Sequence, residues 1–285
     1  MRIGVPAEIK NNEHRVGLTP ESVHELCSVG LEVNIQSQAG SAIGFTDHDY
    51  QQSGATILFS ASDVYESSDL IVKVKEPLPE EFKFLSSEKT LFTYLHLAGN
   101  KSQAVELMKT GVTGIAYETV TSSDGSLPLL APMSKIAGQI SVVVGQYFLL
   151  KPNGGIGTIL GSVDSIERRV VTVIGAGVAG MEAIKKAIAN DAHLKILDLS
   201  PKRLDELKEQ FGTNNIEYIL SDSSSISSAL EASDLVIGSV YVLGKEAPKV
   251  ITEEMIKKMK SGSVLVDISI CLLYTSPSPR DTVRA

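Results

Sequence analysis

Three basic side chains in the first hundred residues have the chemistry to act together on a small carboxylate substrate. Arg15 ends the loop KNNEHR after the strand IGVPAE, Lys75 follows the strand LIVKV, and His96 follows the run LFTYL. A guanidinium is a planar fork that suits a carboxylate, an ammonium can hold a second oxygen, and an imidazole exchanges a proton near neutral pH. Each residue alone is also typical of a structural role: a solvated loop arginine, a lysine paired with Glu76, or a hydrogen-bonded histidine. Because ligands of open α/β sheets bind outside the carboxyl ends of the strands, we expect the three to face one crevice.

A glycine-rich turn in the second half of the chain is typical of a dinucleotide-binding site. Within VTVIGAGVAG, Gly175, Gly177 and Gly180 follow an apolar strand and open a helix, which is the context that makes this pattern informative. The first glycine permits the tight turn, the second lets the backbone approach a diphosphate, and the third lets helix and strand pack closely. The diphosphate would then meet free amides at the positive end of the helix dipole. The alternative is that the glycines serve only packing, in a sheet that binds no nucleotide.

An acidic residue downstream of this turn bears on which cofactor binds. The strand LKILD ends in Asp198, 18 residues after Gly180, close to the spacing of an acid that binds ribose hydroxyls. A carboxylate there repels a 2′-phosphate, so NAD is expected rather than NADP. Lys202 and Arg203 lie nearby in the sequence and weaken that preference.

The elements that must position these residues alternate between strands and helices. Apolar runs and helical segments follow one another through the first 120 residues, and a second such series begins at Arg169. This alternation predicts an α/β fold with two Rossmann-like, doubly wound parallel sheets. We expect a substrate domain over 1–130, a connecting helix over 131–152 and an NAD-binding domain over 153–270. The last residues, CLLYTSPSPRDTVRA (271–285), break the pattern, so we expect a foreign-looking tail and a second sheet that is incomplete at its C-terminus.

Composition narrows the class of protein and of partner. The 285 residues are 43% apolar and 21% charged, which is typical of a folded globular protein. A formal net charge of −8 without a dense Lys/Arg block offers nothing to neutralise a nucleic acid. The N-terminus does not resemble a signal peptide and the longest apolar run is too short to span a bilayer, so we expect a cytoplasmic protein without a membrane partner. Cys27 and Cys271 are far apart and in no metal-ligand spacing, so no metal site is expected.

A series of motifs along residues 1–270 is similar to a known family. In chain order the motifs are GVPAEIKNNEHRVGLTP, IVKVKEPLP, LFTYLHLAGN, AYETV, DGSLPLLAPMSKIAGQ, KPNGGIGTILG, and VIGAGVAG with LKILD. Together they resemble the family of alanine dehydrogenase and the NAD(P) transhydrogenase α subunit. The resemblance implies reversible, NAD-dependent deamination of L-alanine to pyruvate and ammonium by a homo-oligomer, which the family's habit makes a hexamer.

The resemblance also implies roles for individual residues. Arg15 and Lys75 would bind the substrate, and His96 would be the proton donor or acceptor. The positions that match the family's cofactor contacts, beside the three glycines of the turn, are Ser134, Val178, Ala179, Asp198, Arg203, Ser221, Val240, Tyr241, Ile268, Ser269 and Ile270.

One departure from the family's pattern follows the segment VDISI. The family has an aspartate there that helps catalysis, this chain has Cys271, and the family's remaining segment does not follow. Two alternatives therefore stay open: a transhydrogenase α subunit, which moves hydride between nucleotides and needs a membrane partner, and a non-catalytic NAD-binding fragment. The intact LHLA, KEP and SLPLLAPMS motifs favour an enzyme that acts on alanine.

Overall fold

The computed structural model describes residues 1–97, 100–241 and 249–268. Two of the expected cofactor positions, Ser269 and Ile270, lie outside the described residues, as do Cys271 and the predicted tail over 271–285. The chain forms two compact units, of which the first spans Met1–Leu129 and the second begins at Leu130.

The first unit is built on a six-stranded parallel sheet. Its strands are β1 (Arg2–Val5), β2 (Glu32–Gln36), β3 (Thr56–Leu58), β4 (Leu70–Val72), β5 (Thr90–Thr93) and β6 (Thr113–Ala116). They lie in the order β3-β2-β1-β4-β5-β6, so the chain winds outward from β1 first in one direction and then in the other. The first and fourth strands are therefore neighbours at a switch point, where the connections after them diverge and leave space for a ligand.

Short helices connect the strands of the first unit. They are α1 (Pro20–Ser28), α2 (Asp47–Gln52), α3 (Ala61–Glu66), α4 (Pro79–Phe82) and α5 (Lys101–Thr110). Helix α1 begins at Pro20, a residue that suits the first helical position, and the Thr19 side chain accepts a hydrogen bond from the Ser22 amide. Gly30, at φ 85°, follows the end of this helix in the left-handed conformation that glycine tolerates best.

The second unit repeats this architecture with five parallel strands. The strands are β7 (Val170–Ile174), β8 (His193–Asp198), β9 (Ile216–Leu220), β10 (Leu235–Gly238) and β11 (Val264–Asp267), in the order β11-β10-β7-β8-β9. The helices that follow the strands are α7 (Val178–Ala189), α8 (Pro201–Phe211), α9 (Ser223–Ala232) and α10 (Glu253–Lys257). The switch point lies between β7 and β10, and the glycine turn follows β7.

The long helix α6 (Ala131–Leu149) packs against α7 within the second unit. Gly138 makes this possible, because a Cβ at that position would overlap the carbonyl oxygen of Ala179. Val142 and Leu149 of the same helix are fully buried in the core of the second unit. The helix therefore braces the N-terminal turn of α7.

The two strand orders confirm the predicted α/β fold with two parallel, doubly wound sheets. Within residues 1–97, 100–241 and 249–268, no helix combines the length and the apolar character needed to cross a membrane.

Candidate functional site

At the switch point of the first unit, a buried carboxylate joins the ends of β1 and β4. The Glu8 side chain, three residues beyond β1, accepts hydrogen bonds from the backbone amides of Val74 at 2.6 Å and Lys75 at 3.3 Å. Its second oxygen is 3.4 Å from the ammonium of Lys73, whose side chain is fully buried. Burial raises the pKa of Glu8, against the opposing effects of the Lys73 charge and the two amides. Glu8 thus fixes the point at which Lys75 leaves the sheet.

Lys75 lies in a compact group of charges. Its ammonium is 3.5 Å from Oε2 of Glu76, and 12% of its side chain is exposed. The other oxygen of Glu76 accepts a hydrogen bond from Lys10 at 2.6 Å. Burial raises the pKa of Glu76, but the hydrogen bond from Lys10 and the charge of Lys75 outweigh it, so the pKa lies below its usual value. Two ammonium groups around one carboxylate leave a net positive charge, which suits an anionic ligand.

Arg15 is held by a neighbouring acid. Glu13 accepts hydrogen bonds from Nε of Arg15 at 2.8 Å and from Nη2 at 2.6 Å, and also from the Arg15 amide at 3.1 Å. The Glu13 side chain is 4% exposed, whereas that of Arg15 is 44% exposed. The hydrogen bond with Glu13 is the main cause that raises the pKa of Arg15. A fork that is anchored along one edge and open to solvent elsewhere is preorganised to bind a second carboxylate.

His96 follows β5 in a sparsely populated backbone conformation. Its φ of 50° lies in the left-handed region, which costs a residue other than glycine about 1 kcal/mol or more. The carboxylate of Glu118 accepts a hydrogen bond from the His96 amide at 2.7 Å and one from the Leu95 amide at 3.2 Å. The imidazole stacks on Tyr94, with 5.9 Å between ring centroids and 16° between the planes. Backbone and ring are therefore both held.

The imidazole keeps solvent-accessible surface, yet enough protein surrounds it to weaken its hydration. This desolvation, followed by the charge of Lys75, lowers the pKa of His96, while Glu118 and Glu76 act in the opposite direction. A lowered pKa favours the neutral imidazole, which is the form that can accept a proton.

Shared neighbours bring the three residues singled out in the sequence to one end of the first sheet. Tyr94 stacks on His96 and lies within electrostatic reach of Arg15. Glu8 binds the Lys75 amide and also acts on Arg15. The structural interpretation of Lys75 holds as well, since it does pair with Glu76. The arrangement can grip a carboxylate next to a neutral proton acceptor.

Glu8, Tyr94 and Glu118 were not singled out in the sequence, although each contacts one of the three. Glu118 follows the end of β6 at Ala116, so the strand-end rule applied to the segment AYE would have found it. Glu8 also lies just past a strand end, in VPAEIK. Glu8 and Glu118 both bind backbone amides, and a sequence does not show which amides are available as partners.

The glycine turn of the second unit has the geometry that a diphosphate requires. Gly175 has φ 90°, and the helix α7 starts two residues after Ala176. A Cβ at Gly180 would overlap the carbonyl oxygen of Gly175, so the helix meets the strand too closely for any side chain. A Cβ at Gly177 would touch nothing within 4 Å, so the space beside the helix N-terminus is open. Gly177 caps the helix without a side-chain hydrogen bond, and the first amides of α7 lack intrahelical acceptors.

Asp198 is tied to this turn. Its Oδ2 accepts a hydrogen bond from the Ala176 amide at 2.8 Å, and its Oδ1 accepts one from the Ser200 amide at 2.9 Å. Arg203 donates from Nε to the Ala176 carbonyl at 3.0 Å and forms an ion pair with Glu206 at 3.0 Å. Each carboxylate oxygen retains a second lone pair that can accept a hydroxyl. The acid is thus held beside the turn at the carboxyl end of β8.

The other expected cofactor positions fall at strand ends or at helix starts of the second unit. Ser221 follows β9 and donates its amide to the Asp198 carbonyl at 2.9 Å. The remaining described positions are Val178 and Ala179 in the first turn of α7, Ser134 in the first turn of α6, Val240 and Tyr241 after β10, and Ile268 after β11. Ser239, which the sequence did not indicate, locks the turn by donating to the Gly175 carbonyl at 2.6 Å.

Comparisons with known proteins agree on one family. The family description "Alanine dehydrogenase/PNT, N-terminal domain" matches residues 4–137, and "Alanine dehydrogenase/PNT, C-terminal domain" matches residues 141–271. The alanine dehydrogenase of Staphylococcus epidermidis is 48% identical over 270 residues, which are 95% of this chain and 72% of that relative. A solved L-alanine dehydrogenase is 45% identical with a TM-score of 0.86, over 96% of this chain and 75% of that one. A transhydrogenase from Sinorhizobium meliloti is 25% identical with a TM-score of 0.77, over 96% of this chain and 81% of that one.

Proposed function

The chain belongs to the alanine dehydrogenase/PNT family, and on that premise we propose that it catalyses the NAD-dependent oxidative deamination of L-alanine and its reversal. The reaction converts alanine, NAD⁺ and water to pyruvate, ammonium, NADH and a proton. The observation that carries the proposal is the grouping of Arg15, Lys75 and His96 at one end of the first sheet.

The described residues of the second unit fit NAD. The open space at Gly177 would be filled by any side chain but accommodates a diphosphate. Asp198 would accept the ribose hydroxyls, and its negative charge disfavours a 2′-phosphate. When bound, NAD⁺ supplies the hydride acceptor for the reaction.

The first unit supplies the substrate site in this proposal. Arg15 and Lys75 bind the two carboxylate oxygens of alanine, and Glu13 and Glu76 orient these two cations. Two charge-assisted contacts fix the orientation of Cα, which converts a random encounter into a positioned one.

His96 moves the proton in the steps that follow loss of hydride from Cα. The amino nitrogen lone pair forms the C=N bond of an iminium as the hydride leaves. A water oxygen then bonds to this carbon while its proton passes to the neutral imidazole. The imidazolium returns the proton to the nitrogen, and the C–N bond breaks with its electron pair on nitrogen. The remaining hydroxyl proton passes through the imidazole to the released ammonia, so the oxygen becomes the pyruvate carbonyl and the nitrogen leaves as ammonium.

We also propose that the chain works as a cytoplasmic homo-oligomer, as its family resemblance suggests. Helix α6 supports association, because Ile136, Ile140, Val143 and Tyr147 lie on one side of it and are all exposed. Light scattering coupled to size exclusion measures the assembly, and a monomer at micromolar concentration contradicts this part of the proposal.

The activity is tested by adding L-alanine and NAD⁺ to the purified chain and following NADH absorbance. Alanine-dependent NADH formation, matched by pyruvate and ammonium in equal amounts, is the expected result. NADH binding without such reduction supports a non-catalytic fragment. Alanine-independent hydride exchange between NADH and an oxidised nucleotide analogue supports transhydrogenase chemistry.

A further inference from the structure

Glu118 occupies a place where two neighbouring strands part. The last paired residues of β5 and β6 are Thr93 and Ala116. Two residues further along each strand, the backbones no longer pair, and the side chain of Glu118 spans the gap to the amides of Leu95 and His96. The carboxylate thus continues the ladder of hydrogen bonds with a side chain.

These side-chain hydrogen bonds matter because His96 adopts a backbone conformation that the sheet does not impose. Its φ of 50° persists only where surrounding contacts determine it. Oε1 of Glu118 accepts both amides, from His96 at 2.7 Å and from Leu95 at 3.2 Å, and Oε2 is 3.3 Å from the Leu95 amide. These are charge-assisted bonds, which are stronger than neutral ones.

The charges around the imidazole give Glu118 a second effect. The positive charges of Lys75 and Lys10 lower the pKa of His96, and the negative charges of Glu118 and Glu76 raise it. Tyr94 covers one face of the ring. Glu118 therefore opposes the two lysines from the turn that follows β6, the strand next to β5.

We infer that Glu118 is a positioning residue of the proposed reaction, which holds the Leu95 and His96 amides so that the imidazole stays beside Lys75 and which supplies the negative charge that balances the lysines. The inference rests on the proposed function for its catalytic consequence. Its structural content, a carboxylate that holds the backbone of His96 and raises the pKa of its imidazole against burial and Lys75, stands apart from any reaction.

Glu8 plays a similar part for Val74 and Lys75, but it is less suitable for a test. Its carboxylate also neutralises the buried Lys73, so removal would leave a buried charge with one partner fewer and threaten folding. For Glu118, the structure gives hydrogen bonds to the two backbone amides, and no salt bridge among the described residues depends on it.

Two substitutions separate geometry from charge. Glu118→Gln keeps an oxygen at the place of Oε1 and removes the charge, whereas Glu118→Ala removes both. We expect Glu118→Ala to lower kcat by about 10²-fold, the loss typical of a small misplacement of a catalytic group, with KM for alanine changed much less because Arg15 and Lys75 remain. Glu118→Gln should retain at least about 10-fold more activity than Glu118→Ala. Because loss of the Glu118 charge lowers the pKa of His96, the rising limb of the profile of kcat/KM for alanine against pH should move to lower pH than in the wild type.

A matched control is Glu106→Gln in helix α5 of the same unit. The Glu106 carboxylate is exposed and pairs with Lys109. This substitution should leave kcat and the pH profile unchanged. Thermal unfolding of all variants checks that a loss of rate is not a loss of folded protein.

A readout without catalysis makes the inference independent of the proposed function. Histidine labelled with ¹⁵N in the whole chain gives five imidazole spin systems, and His96→Gln identifies the one that belongs to His96. Its titration midpoint should fall in Glu118→Gln and stay in Glu106→Gln. If the wild type shows no alanine-dependent reduction, the proposed function fails and this titration still decides about Glu118. Wild-type kcat in folded Glu118→Ala, or an unchanged midpoint in Glu118→Gln, overturns the inference.

Discussion

Replacing Gly177 by alanine should separate cofactor binding from folding. Gly177 has φ −69°, which alanine adopts without strain, and an added Cβ would find no atom within 4 Å. Alanine is a poorer N-cap than glycine, but it also reduces the entropy of the unfolded chain, so the two effects leave the free energy of unfolding within about 1 kcal/mol of the wild type.

The methyl group should nevertheless obstruct the diphosphate. It would project into the open space beside the N-terminus of α7, where a phosphate must come within hydrogen-bond distance of the backbone amides. We expect the Kd for NADH to rise at least about tenfold, which corresponds to about 1.4 kcal/mol. At an NADH concentration of about 100 times the wild-type Kd, the stabilisation by ligand would fall from about 2.7 to about 1.4 kcal/mol.

Gly180→Ala is the matched comparison from the same turn. Its Cβ would overlap the Gly175 carbonyl oxygen and lie 2.8 Å from Oγ of Ser239. The first of these is backbone, so the helix itself must shift. We expect a loss of about 1–3 kcal/mol in the free energy of unfolding, as for overpacking of a core, together with weaker NADH binding.

The assay is thermal unfolding with and without NADH, combined with a fluorescence titration of NADH for each variant. Gly177→Ala should unfold like the wild type without ligand and gain less from NADH. Wild-type affinity in Gly177→Ala refutes the placement of the diphosphate at this turn. If both substitutions lower the free energy of unfolding equally, the space beside Gly177 is not more open than the space beside Gly180, and the reasoning is refuted.

Three further predictions concern the first unit. His96→Ala should lower turnover with alanine by about 10²–10⁴-fold, and near-normal turnover in a steady-state assay contradicts the proton-transfer role. Arg15→Lys keeps one charge but loses the planar fork, so KM for pyruvate should rise about tenfold, consistent with loss of one charged hydrogen bond; an unchanged KM places the carboxylate elsewhere. Hydrogen bonds from Arg2 lower the pKa of Asp69 from 3.8 to about 2. The stability from this pair is present above pH 3.8 and is lost as the pH falls toward about 2. Urea unfolding over that range should therefore show a steeper loss of stability in the wild type than in Asp69→Asn, and parallel curves contradict the assignment.

Much of the fold follows from local patterns that the sequence carries openly. Apolar runs that alternate with helical segments predict parallel strands with crossover helices, and both strand orders agree with that prediction. The glycine spacing at 175, 177 and 180 predicts a turn whose geometry the structure describes. These features depend on the nearest neighbours in the chain, so a reading of residue types and periods can find them.

The domain division and the supports of the site depend on contacts between distant residues. The prediction gives a connecting helix over 131–152, and α6 packs on α7 through the close approach at Gly138. That contact depends on how closely the two helix backbones approach, and the period of apolar residues in a sequence does not show this distance.

The amino-acid sequence by itself determined which groups can do chemistry: a guanidinium, an ammonium and an imidazole after strand ends, and an acid after a glycine turn. Only the tertiary structure decided how they are held. Glu8 reaches the Lys75 amide across 67 positions of the chain, and Glu118 reaches the His96 amide across 22. A carboxylate that binds backbone amides recognises a conformation rather than a side chain, and that conformation exists only once the sheet has formed.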